Sequence, residues 1–196
     1  MAASRKRRVA VLISGRGSNM ASLIEAAKAP GYPAEIALAI SNRPEAEGLT
    51  RAAAAGVATA VVDHKTYPER EAFERALDGE LLAHGIELLC CAGFMRILTP
   101  WFINRWTGRM LNVHPSLLPL FTGLHTHRRA LEAGMRIHGC TVHFVTPELD
   151  SGPIILQAAV PVLKNDNEET LSARILSEEH RIYTEAIALA LEPLHS

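Results

Sequence analysis

Short apolar runs alternate with amphipathic stretches through the first 115 residues of the chain. Arg8–Ile13, Ile36–Ile40, Ala58–Val62, Leu88–Ala92 and Met110–Val113 lack a polar alternation, and several are rich in Val and Ile. That is the pattern of strands covered on both faces of a parallel sheet. Met20–Lys28, Ala46–Ala55, Glu69–His84 and a short stretch around Pro100–Trp106 read as the intervening helices. In Glu69–His84, Phe73, Leu77, Leu81 and Leu82 recur at helical spacing against a charged face. Such alternation predicts an α/β layered domain with right-handed crossovers. After Asn112 the texture changes. Pro115–Thr126, with two Pro and one Gly, cannot be continuous regular structure. A helix at His127–Ala133, strands at Cys140–Val145 and Ile154–Val162, and a last helix from about Glu169 to Leu191 follow. No repeat, low-complexity tract or linker divides residues 1–196, so a single domain is expected. Any subdivision would be two lobes sharing one sheet, about 8–113 and about 114–191.

Charge and composition narrow the function classes. Twenty basic side chains against 21 acidic ones leave a formal charge of −1, without the positive excess that grips nucleic acid. Aromatics at 5% are too few for a base-stacking platform, whereas 48% apolar residues suffice for a core. No apolar run approaches the ~20 residues of a membrane helix. Cys90, Cys91 and Cys140 show no disulfide spacing, which suits a reducing compartment. Arg5-Lys6-Arg7-Arg8 precedes an apolar run that stops at Ser14-Gly15, short of the ~7–15 residues of a secretory signal. It reads as a basic tail entering the first strand; a nuclear or nucleic-acid patch is the alternative.

Two sets of residues carry candidate chemistry. Gly15-Arg16-Gly17-Ser18-Asn19 lies between the first strand and first helix. A helix N-terminus there offers free amides and about half a positive charge, and Ser18 and Asn19 are good N-cap residues. The third glycine and the acidic residue of a dinucleotide site are missing, as is the lysine of a P-loop. The loop therefore suits a phosphomonoester, or is a plain capped turn. Further on, Asn112 and His114 stand at i and i+2 at the end of a strand, so both point from one face at the sheet edge where ligands bind. Together they can donate two hydrogen bonds to one oxyanion, and His114 can also move a proton. Asp150, in Leu149-Asp150-Ser151-Gly152-Pro153, offers a carboxylate on a constrained loop that could charge or orient His114. His114, His125, His127, His138 and His143 are the candidates for a metal site, but no ligand motif supports one, and none is expected. Cys140 reads as core and Ser116 as a turn residue rather than as nucleophiles.

In order along the chain, Val11-Leu12-Ile13-Ser14-Gly15, Gly17-Ser18-Asn19, Ala92-Gly93-Phe94-Met95-Arg96-Ile97-Leu98, Asn112-Val113-His114-Pro115-Ser116-Leu117-Leu118-Pro119 and Leu149-Asp150-Ser151-Gly152-Pro153 resemble the folate-dependent formyltransferases. With Gly123-Leu124-His125-Thr126-His127 they point to the phosphoribosylglycinamide formyltransferases, over about Arg8 to Leu191. The resemblance implies a Rossmann-like α/β fold with a mostly parallel twisted sheet, flanking helices and a C-terminal antiparallel extension. It implies transfer of a formyl group from 10-formyltetrahydrofolate to phosphoribosylglycinamide in purine synthesis, by a cytoplasmic monomer or homodimer acting on small molecules. Asn112, His114 and Asp150 would be the catalytic trio. Gly17, Ser18, Asn19 and Glu179 would hold phosphoribosylglycinamide. Arg70, Met95, Arg96, Ile97, Leu98, Asn112 and Thr146, Pro147, Glu148, Leu149 and Asp150 would hold the folate. Leu176 stands where relatives carry Gln or Lys, and Leu120 and Thr122 also depart from the family pattern. A tRNA-directed formyltransferase would need more length and positive charge. A 10-formyltetrahydrofolate hydrolase or a noncatalytic phosphosugar-binding module are the remaining alternatives.

Overall fold

Along strand β1 (Arg7–Ile13), Val9, Val11 and Ile13 pack on one side while Ala10 and Leu12 pack on the other. All five are fully buried, so β1 lies at the middle of a three-layer structure. The computed structural model describes residues 5–192. Strands β2 (Ala34–Ser41), β3 (Ala58–Val61), β4 (Leu88–Cys91), β5 (Met110–His114), β6 (Ile137–Phe144) and β7 (Ile154–Pro161) complete one sheet, ordered β3-β2-β1-β4-β5-β6-β7. The first five strands in the chain are parallel. β6 and β7 then run antiparallel to their neighbours, as the implied fold requires.

Helices α1 (Ser18–Ala27), α2 (Glu47–Ala54) and α6 (Glu168–Leu191) contribute to the apolar cluster on one face, where Leu171, Ile175, Ile182 and Tyr183 of α6 meet Val11 and Leu111. Helices α3 (Arg70–Ala83) and α4 (Pro100–Arg105) cover the other face through Phe73, Leu77, Leu81 and Phe102, with Trp106 just beyond. The short helix α5 (Thr126–Glu132) precedes β6. Helix α6 begins with a reciprocal cap. Asn167 Oδ1 accepts from the Thr170 N–H at 2.9 Å, and Thr170 Oγ1 accepts from the Asn167 N–H at 3.0 Å.

Three expectations change. β3 is exposed along most of its length, because it is the sheet's edge and pairs only with β2. The charged face of α3 is partly internal: Glu74 accepts from the Thr99 N–H at 2.7 Å and from its hydroxyl, and Asp78 accepts from Arg105 and from the Trp106 indole. Leu82, assigned to the apolar stripe, is 54% exposed. The basic segment is tied down by ion pairs. Arg5 and Arg7 share Glu87, Arg8 pairs with Glu35, and Lys6 donates to the Ala27 carbonyl. No helix among the described residues is long and apolar enough to cross a membrane.

Candidate active site

The parallel strands end on one edge of the sheet, and there β1 and β5 deliver the two candidate subsites. They are separated by β4 alone, so the subsites lie roughly 10 Å apart at ordinary strand spacing.

At the end of β1 the chain passes through Gly15 and Gly17 into α1. The helix cap is Gly17, at φ 69°, with no side-chain capping bond. Ser18 and Asn19, expected as caps, are instead the first residues of the helix. A left-handed residue has to precede them, and glycine adopts that conformation without penalty. Gly48 of α2, which sequence reasoning overlooked, closes against this loop. Its N–H donates to the Gly15 carbonyl at 3.0 Å, and a Cβ on it would lie 2.4 Å from Ile13 Cδ1 and 3.3 Å from Gly17 Cα. Asn19 Nδ2 donates to Glu179 Oε2 at 2.8 Å, bringing α1 and α6 together. Both side chains are buried, and Asn19 Oδ1 has no hydrogen-bond partner among the described residues. Burial raises the Glu179 carboxyl above its ordinary value, with the Asn19 bond partly offsetting it. Leu176 lies one turn earlier on the same helix.

At the end of β5, Asn112 and His114 both line a cavity of about 470 Å³. They share a face, as their spacing predicts. Opposite them, the β6–β7 connection brings in Asp150, whose φ of 52° is unusual for a residue other than glycine. Gly152 permits this turn, since a Cβ there would meet the Phe144 carbonyl at 1.8 Å. Asp150 Oδ2 accepts from the Gly123 N–H at 2.8 Å and lies 3.5 Å from His114 Nδ1. Both side chains are only 7% exposed. His114 Nε2 faces the Phe121 carbonyl at 3.0 Å; a carbonyl can only accept, so Nε2 carries a proton. Pro115–His125 is irregular as expected, with a cis Leu118–Pro119 peptide, and Ser116 donates to Leu120 O within it as a turn residue.

The remaining cavity wall is mostly apolar: Met95, Ile97, Leu98 and Val145 with Leu149, beside Arg96, Thr146, Pro147 and Glu148. Arg70, by contrast, is exposed at the start of α3 and does not line the cavity. Cys91 does line it, but burial pushes its thiol up to about 12, leaving no thiolate for nucleophilic attack. Cys140 is wholly buried in the core. Of the histidines weighed for metal, His127 and His138 pack edge to face at 5.7 Å. Burial lowers His127 below its ordinary value and takes His138 down to about 4. Among the described residues no group of three or more His, Cys, Asp or Glu side chains is placed to hold a metal ion. His143 instead belongs to the cavity, across the sheet pairing from Asn112.

This chemistry has known counterparts. The formyl transferase family matches residues 7–187. Phosphoribosylglycinamide formyltransferase of Escherichia coli (strain K12) is 48% identical over 175 residues, which is 89% of this chain and 82% of that protein. The trifunctional purine biosynthetic protein adenosine-3 of Gallus gallus is 51% identical over 184 residues, 94% of this chain but 18% of that much longer protein. The crystal structure of phosphoribosylglycinamide formyltransferase from Brucella melitensis is similar with a TM-score of 0.92 and 52% identity, covering 98% of this chain and 100% of that one. With agreement of this extent in sequence and fold, the chain belongs to the formyl transferase family, among the phosphoribosylglycinamide formyltransferases.

Proposed function

We propose that this protein transfers the formyl group of 10-formyltetrahydrofolate to the amine of 5'-phosphoribosylglycinamide, a step of purine biosynthesis. The observation that carries the reading is the meeting of Asn112, His114 and Asp150 in one cavity, two strands from a glycine loop that opens a helix. Free amides at the start of α1 and the glycines before it suit a phosphate. Asn19 and Glu179, bonded to each other at 2.8 Å, would engage the rest of the ribonucleotide. The largely apolar wall of Met95–Leu98 and Thr146–Asp150 suits the flat ring system of a folate; Arg70, exposed outside that wall, would be a contact for the anionic end of the ligand. The reading includes cytoplasmic action as a monomer or homodimer, with no metal.

In the mechanism, the substrate amine attacks the formyl carbon and a C–N bond forms. The carbonyl oxygen takes up negative charge, stabilised by an Asn112 N–H and by His114, which gives up its contact with Phe121 O to do so. Asp150, with Oδ2 3.5 Å from His114 Nδ1, keeps the ring oriented. The bond from the carbon to the folate nitrogen then breaks. The proton lost by the amine is relayed through His114 and Asp150 to the leaving nitrogen. The carbon thus changes partners with no net change in protons.

The test is an absorbance assay of purified protein with 10-formyltetrahydrofolate, or 10-formyl-5,8-dideazafolate, in the presence and absence of the ribonucleotide. Deformylation that requires the ribonucleotide is expected. Equal formate release without it would indicate a hydrolase, and ligand binding without turnover a noncatalytic module.

A further inference from the structure

Asn112 can serve an oxyanion only if its amide nitrogen, not its oxygen, is fixed in the donating position. A free side-chain amide can turn over and exchange the two. On the antiparallel neighbour of β5, His143 sits in register with Asn112, is 2% exposed, and lines the same cavity. Its Nδ1 lies 2.9 Å from the Phe144 carbonyl. Because that oxygen can only accept, Nδ1 carries the proton. Burial lowers the tendency of this ring to take a second one, so Nε2 presents a lone pair. Asn112 Nδ2 approaches that lone pair at 3.3 Å. Turning the amide over would set Oδ1 against it, two acceptors face to face.

The same proton arrangement bears on Asp150. Its Oδ1 lies 3.9 Å from His143 Nε2. A nitrogen without hydrogen cannot donate to it, so His143 does not compete with His114 for the carboxylate.

We infer that His143 is a positioning residue for formyl transfer: a neutral acceptor, locked by the Phe144 carbonyl, that holds Asn112 with one N–H toward itself and the other toward the reacting oxygen. This rests on the proposed reaction, and wild-type turnover in the ribonucleotide-dependent assay tests that reaction first. With turnover established, His143→Leu is expected to lower kcat about 10- to 100-fold, less than the ~10²–10³ lost with an oxyanion donor itself. KM for either substrate should change little. His143→Gln, which restores an acceptor oxygen, should exceed the leucine variant in kcat by about fivefold, the worth of one ordinary hydrogen bond. In an Asn112→Ala background, adding His143→Leu should change kcat by less than about twofold, because the two residues act as a unit. Unchanged kcat in His143→Leu, or a full multiplicative loss in the Asn112→Ala background, would overturn the inference while leaving the reaction standing. Nitrogen NMR of wild-type histidines provides a readout that needs neither activity nor a variant. It should show His143 protonated on Nδ1 alone at neutral pH; a proton on Nε2 would end the argument.

Discussion

Replacing Gly48 with alanine tests the proposed phosphate loop without touching any group assigned to chemistry. The added Cβ would stand 2.4 Å from Ile13 Cδ1, 3.0 Å from the Gly15 carbonyl oxygen and 3.3 Å from Gly17 Cα, against ordinary contacts of about 3.5–4.0 Å. Ile13 is fully buried in the cluster beneath α1 and has little freedom to retreat. The two backbone neighbours are the loop itself. Overpacking of this kind costs about 1–3 kcal/mol. If the loop yields, that energy is lost from binding, and KM for the ribonucleotide rises roughly 5- to 150-fold at ~1.4 kcal/mol per tenfold. The assay is steady-state transfer with the ribonucleotide varied at saturating donor, alongside a melting curve and calorimetric binding of a folate analogue. Binding of the analogue should be unchanged, since the cavity proposed for it does not include residues 15–19. A KM within about twofold of wild type would refute the reasoning, whether Tm stays level or falls because Ile13 absorbed the strain.

Other residues give independent checks. His114→Ala should lower kcat about 10²–10³-fold with smaller changes in KM, and Asp150→Asn should act in the same direction; near-normal kcat in both would remove them from the mechanism. Glu74→Ala leaves the Thr99 N–H without its acceptor next to the Met95–Leu98 wall. It should cost about 1–3 kcal/mol by urea unfolding, and a loss below about 0.5 kcal/mol would count against that anchoring role. Hydrogen bonds from Arg7, from the Arg8 backbone and from Arg5 take Glu87 from an ordinary 4.5 to about 2. The unfolded chain therefore binds the extra proton first, so this stabilisation is complete above about 4.5 and is lost as pH falls toward about 2. Urea midpoints of wild type and Glu87→Gln should differ at pH 6 and draw together on acidification; a constant gap would contradict the assignment.

Much of this architecture was legible because it is local. The unalternated run of β1 announced a strand covered on both sides, and the spacing of Asn112 and His114 announced one shared face. Those properties follow from backbone periodicity alone. What escaped depended on contacts between distant segments. Gly48 looks ordinary until the Gly15–Gly17 loop is folded beside it. Glu74 reads as a solvated helix charge until Thr99 arrives to be bound. His143 could be noticed as a histidine, but its place opposite Asn112 depends on the antiparallel pairing of β5 with β6. Arg70 illustrates the converse, since a familiar sequence neighbourhood did not put it on the cavity wall.

The bond from Asn19 to Glu179 joins residues 160 positions apart. During synthesis the glycine loop therefore precedes its polar companion on α6 by all seven strands but the first. A nascent chain with β1 to β5 already paired would still lack the Asn19–Glu179 bond. Docking of α6 thus ties the opening of the first helix to a segment made after all seven strands, so Asn19 acquires this partner only when the whole sheet has been synthesised.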